Sequence, residues 1–167
     1  MESVLDRILT VNLICSTLIF YVGAKIYIMP KINELKPKVI LIPILILHSF
    51  RHFGLMFHAK GATYPGMPPQ FAYPAAVGDL LAAILAFLAI LATVNNLRIG
   101  RFLLWVFSIE GTVDLIAAIT LATVYGAAAY MGAAYWIPAF WVPALLVSHY
   151  LVFIVLIRQS SRTDDTA

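Results

Sequence analysis

Residues 71–94 read FAYPAAVGDLLAAILAFLAILATV, an apolar run whose single charged residue is Asp79. A bilayer core about 30 Å thick is crossed by about 20 apolar residues of helix. The run is therefore read as a spanning helix with one acid inside it. Working outward, four more stretches meet the same test, near residues 8–28, 39–57, 102–125 and 136–157. The expected fold is all-α: one polytopic transmembrane bundle of about five helices, occupying residues 1–167 as a single integral membrane domain.

Composition supports this. The chain is 62% hydrophobic and only 11% charged, against roughly 25% charged residues in a soluble domain. A small soluble domain exposes too much surface to hide so much carbon, so the lipid bilayer is the expected solvent. The residues before the first run are Glu2, Asp6 and Arg7, with no basic leader and no A-x-A site ahead of Lys25. The run is read as a retained anchor. Cys15 is the single cysteine and is expected to pack as a small hydrophobe.

The connections alternate in charge. Lys25, Lys31, Lys36 and Lys38 lie between helices one and two, Arg98 and Arg101 between three and four, and Arg158 and Arg162 in the tail. The second connection has Lys60 alone and the fourth has no charge. The basic side is cytoplasmic by the positive-inside rule, which places the N-terminus outside and the C-terminus in the cytoplasm. Basic residues held in short connections do not form a nucleic-acid patch. Tyr64, Phe71, Tyr73, Tyr130, Tyr135, Trp136 and Trp141 suit an interfacial belt on the outer side. Pro43 and Pro143 fall inside spans, where neighbouring groups take up the freed carbonyls.

Seven ionisable residues fall within the spans: His48, Arg51, His52, Asp79, Glu110, Asp114 and His149. Each costs at least about 2.5–3.5 kcal/mol near the bilayer centre, so all should turn inward and meet one another. His48, Arg51 and His52 stand at i, i+3 and i+4, one face of an α-helix. Counting about 1.5 Å per residue puts Arg51, His52, Asp79 and Asp114 in one layer of the outer half, His48 near the midplane, and Glu110 and His149 further in. Thr112 and Ser148 add hydroxyls, and Arg51 is expected to pair with Asp79 or Asp114. The first helix offers only Asn12, Ser16 and Thr17 and reads as peripheral. Asp79–Ile84 and Asp114–Ile119 echo each other, with Ala82, Ala83, Ala117 and Ala118 as expected close-packing positions.

Three chemistries suit these residues. His48, His52, Asp79 and Asp114 are candidate ligands for a transition metal such as iron, zinc or manganese, with Arg51 competing for the acids. His48 and His149 are the best axial pair for haem b, although the depth count sets them about 6 Å apart. A ladder of Asp, Glu and His also suits a proton relay. There is no nucleotide loop and no Ser/His/Asp order.

From Arg51 the chain reads Arg-His-Phe-Gly-Leu-Met-Phe, then Gly66-Met67-Pro68, then Gly-Asp-Leu-Leu-Ala-Ala-Ile-Leu-Ala from Gly78, then Leu97-Arg98 before a new apolar helix. This stretch resembles the small DoxX-like membrane proteins, with Asp79 where that family has a glutamate and an extra helix ahead. The resemblance implies a bacterial inner-membrane protein linked to redox or quinone metabolism, and nominates Arg51 and Asp79. The expected function is a redox-associated bundle whose His/Arg/carboxylate cluster binds a small ligand, metal or quinone-like molecule. One alternative is a small proton-coupled channel or transporter, acting as a homo-oligomer. A second is a structural subunit of a larger membrane complex.

Overall fold

The computed structural model describes residues 2–164, with side chains described for 4–158. The side chains of Glu2 and Arg162, both used above, lie outside the described residues. Helix α1 spans Glu2–Tyr27. Helix α2, Pro37–Ser49, continues directly into a 3₁₀ helix, Phe50–His58. Helices α3, Pro69–Val94, and α4, Gly100–Val124, follow. After short turns comes a π-helical segment, Ile137–Trp141, which leads into α5, Val142–Asp164. Five helical stretches are long and apolar enough to cross a membrane. The protein is an all-α bundle, as expected.

Local chemistry explains the boundaries. Pro37 and Pro69 open α2 and α3, where a missing N–H costs nothing. Pro143 cannot donate to the carbonyl four residues earlier, that of Ala139. The Ser16 hydroxyl of α1 donates to that carbonyl at 2.8 Å instead. One turn away, the Asn12 amide donates to the Tyr135 hydroxyl at 3.2 Å. The polar residues of the peripheral helix thus fasten it to α5 and its lead-in.

Helix α3 packs against α2, the 3₁₀ segment and α4, and small side chains let it. Its buried residues are Phe71, Asp79 and eight alanines, which allow close backbone approach. Ala82 and Ala83 are buried as expected, but Ala117 faces outward and Ala118 is half-buried. The echo between α3 and α4 therefore does not extend to matched packing faces. At the end carrying the 59–68 and 125–136 loops, Tyr64 N–H donates to the Tyr130 carbonyl at 2.8 Å, and Ala134 N–H to the Ala62 carbonyl at 3.0 Å. Gly132, at φ +50°, lies where a Cβ would meet the Ala62 carbonyl at 3.2 Å.

Two side chains depart from expectation. Phe71 is not part of an interfacial belt: it is 2% exposed and packs edge-to-face on Phe57 at 4.9 Å. The Phe57 ring offers it more buried contact than the surface does. Cys15 faces outward instead of packing inside.

Candidate functional site

The change from α to 3₁₀ geometry after Ser49 decides which side chains meet. A 3₁₀ helix has three residues per turn, so positions i and i+3 eclipse. Leu45, His48, Arg51, Gly54 and Phe57 accordingly form one buried line, three residues apart throughout. His52 is displaced from that line. Its Nδ1–H donates to the Ser49 carbonyl of its own turn at 2.9 Å, and its ring lies against Phe53. The expectation that His48, Arg51 and His52 share one face is corrected for His52, because the i, i+4 rule holds for α geometry and this segment is not α.

Arg51 is the centre of the cluster and is 1% exposed. Its Nε donates to Asp79 Oδ1 at 2.8 Å, one terminal nitrogen to Asp114 Oδ2 at 2.5 Å, and the other to the Gly111 carbonyl at 3.3 Å. The planar fork of arginine suits this division among several acceptors. The two acids of the sequence echo, Asp79 and Asp114, hold the same guanidinium from two helices. Arg51 pairs with both acids where the sequence suggested either.

Beneath this clamp lie two histidines, both fully buried. The rings of His48 and His149 are 4.2 Å apart, and Phe107 packs against each at 4.9 Å. Ser148 donates its hydroxyl proton to the Leu145 carbonyl at 2.8 Å. The His48 Nε2 that meets the same oxygen at 2.8 Å must therefore carry its own proton. That leaves His48 Nδ1 as a bare lone pair, with no partner in the protein. His149 Nδ1 lies 3.1 Å from the Ser108 hydroxyl, and its Nε2 has no partner. The two rings are in contact despite the depth offset of about 6 Å expected from the count of residues.

Three glycines make the cluster possible, and sequence reading passed over them. A Cβ at Gly54 would collide with the Asp79 carboxyl, and one at Gly78 with the Asp114 carboxyl. At Gly111 it would lie 2.5 Å from His149 Nε2 and 2.8 Å from Arg51 Nη1. Each element of the sequence 3₁₀ helix, α3, α4 thus gives up a side chain where the next helix inserts a polar one. The available signal was a glycine inside an apolar run, three residues from Arg51, adjacent to Asp79, and three residues from Asp114. Ser108 was also missed, since a lone hydroxyl in an apolar helix reads as packing.

The metal set His48, His52, Asp79 and Asp114 is not brought together, and no group of three or more His, Cys, Asp or Glu among the described residues is placed to hold a metal. His52 turns away, and Arg51 occupies the two aspartates. Nor do His48 and His149 face each other across a slot. Their rings are in contact, which leaves no room for a porphyrin between them. Glu110 is half-buried beside Val106, Ile109 and Val113, and its Oε2 has no partner. Thr112 bonds back to the Ser108 carbonyl of its own helix at 2.7 Å.

Toward the loop end, Asp79 forms the base of an enclosed apolar cavity of about 20 Å³, room for one water-sized group. Leu9 and Leu13 of α1 lie on one side of it, and Phe57, Phe71, Leu115 and Ile137 are among its other lining residues.

Fold and site together define a five-helix apolar bundle with an arginine held by two aspartates over a buried histidine pair. The chain matches a domain of unknown function (DUF8737) over residues 8–157 and belongs to that family. No curated protein and no solved structure matches it.

Proposed function

We propose that this protein is a plasma-membrane module of a bacterial cell that binds a small lipid-soluble, quinone-like molecule in a redox-associated role. The N-terminus would lie outside and the C-terminus in the cytoplasm. The observation that carries the reading is the closed apolar cavity ending on Asp79, with the Arg51 clamp beside it and two unpartnered imidazole nitrogens one layer below. Buried polar atoms without protein partners are rare in native structures and call for a ligand, an ion or an ordered water to meet them. His149 Nε2–H, free when Ser108 donates to Nδ1, is matched by a carbonyl-bearing head group, the bare His48 Nδ1 by a hydroxyl such as that of a quinol, and an apolar tail by the cavity walls. A group larger than one water enters only when α1 moves aside, and α1 is the least buried of the five spanning stretches. The resemblance to DoxX-like proteins points to the same chemistry.

The test is titration of purified protein with a short-chain benzoquinone, followed by tryptophan fluorescence. Saturable quenching is expected, weakened at least tenfold by Asp79→Asn and by His48→Gln. Absence of saturable quenching in a folded wild-type protein overturns the reading.

One observation favours proton-coupled transport as a second reading. Asp79 and Asp114 share a single guanidinium and Glu110 stands one turn from Asp114 at the rim, so the acids outnumber the arginine and a mobile proton or cation would supply the missing charge. Proton flux in liposomes that falls in Glu110→Gln, with no quinone binding, would select it.

A further inference from the structure

A cleft separate from the polar core runs along the bundle's side toward the lysine-bearing end. Helices α1 and α2 form its walls, and α5 forms its floor with Ala144, Val147, Ser148 and Leu151. The space amounts to about 600 Å³. On the α1 wall, a Cβ placed at Gly23 meets nothing within 4 Å. The lining is almost wholly carbon. Its one side-chain hydroxyl on the floor, Ser148 Oγ, already donates to Leu145 and accepts from His48, so it asks nothing of an occupant. The chemistry of the cleft calls for hydrocarbon.

The mouth is different. The cleft ends at Tyr27 and Ile28, and Lys31 stands exposed within one turn of them, while Lys25, also exposed, projects from the opposite face of α1. Among the described residues neither lysine is in an ion pair. The 25–38 segment carries four lysines against one acid, Glu34. From Ile19 to Ile28 the α1 wall is about 14 Å long, close to the half-thickness of a hydrocarbon core of about 30 Å. A groove of one leaflet's depth, apolar along its length and basic at its mouth, has the pattern of a phospholipid.

We propose that the cleft binds an anionic phospholipid of the cytoplasmic leaflet, one acyl chain lying on α5 between α1 and α2 and the phosphate meeting Lys31. The site takes its leaflet from the orientation given above and is independent of what the polar core binds. Each lysine near an anionic surface contributes about fivefold in affinity.

The experiment is native mass spectrometry and thermal melting of the detergent-purified protein, titrated with phosphatidylglycerol and with phosphatidylcholine of the same chains. Phosphatidylglycerol is expected to be retained in preference and to raise the melting temperature. Lys31→Gln should bring its affinity down toward that of phosphatidylcholine, whereas Lys25→Gln, on the opposite face of α1, should leave the preference in place. Gly23→Phe should reduce both lipids by filling the cleft, and Ala144→Leu, from the floor, should do the same if Gly23→Phe fails to fold. Equal affinity for the two lipids, or unchanged binding in both cleft-filling variants, overturns the proposal. So does an equal melting shift from glycerol 3-phosphate alone, because the chain would then have no part in binding.

Discussion

Arg51 makes three hydrogen bonds to groups on two helices other than its own, so its loss strands two carboxylates at once. Breaking a buried pair by removing one partner costs about 3–5 kcal/mol, whereas replacing the whole set by apolar residues is often neutral. Arg51→Leu should therefore destabilise the protein by about 3–5 kcal/mol, and Arg51→Leu/Asp79→Leu/Asp114→Leu by much less. Both are measured by denaturant unfolding in mixed micelles. A triple variant as unstable as the single one would show that the clamp is not the source of the loss. The histidine below gives a second residue-scale expectation. Nitrogen-15 NMR of labelled protein should show His48 protonated at Nε2 and bare at Nδ1, because Ser148 spends its proton on Leu145. The opposite tautomer would mean that Ser148 is turned toward the ring. Gly111→Ala should disturb both layers, since its Cβ meets His149 and Arg51 together.

At the scale of elements, two departures from α geometry position the site. The 3₁₀ segment Phe50–His58 lines up His48, Arg51 and Gly54 and sends His52 elsewhere. The π segment before α5, together with Pro143, leaves the Ala139 carbonyl to be met by Ser16. Ser16→Ala should cost about 1 kcal/mol and raise hydrogen exchange in α1. In a Pro143→Ala background, where residue 143 can donate to Ala139 itself, the same change should cost less. Equal costs in the two backgrounds would sever the link between Ser16 and the proline. The five long apolar helices and their count were legible because length and apolarity are properties of a run of residues. The 3₁₀ segment was not, because α and 3₁₀ turns differ in hydrogen-bond register and not in composition. Burial at every third residue, Leu45 to Phe57, is its signature once the structure is known.

For the whole molecule, the alternation of basic connections predicts sidedness. In a Cys15→Ser background, Tyr64→Cys should react with a membrane-impermeant thiol reagent on intact cells, and Asn96→Cys only after the membrane is opened. The reverse pattern would invert the bundle and move the basic cleft to the other leaflet. The sequence by itself determined the all-α class, the number of long apolar helices, the charge asymmetry of the connections and which ionisable residues lie within those helices, because each is a property of a run of residues and of the cost of placing a charge in hydrocarbon. The tertiary structure alone decided which of those residues meet. Arg51 took both aspartates, His48 paired with His149, His52 was turned away, and Glu110 was left at the rim. Partner choice depends on helix register and on where three glycines let neighbouring side chains in, and neither is written in the hydropathy of a single helix.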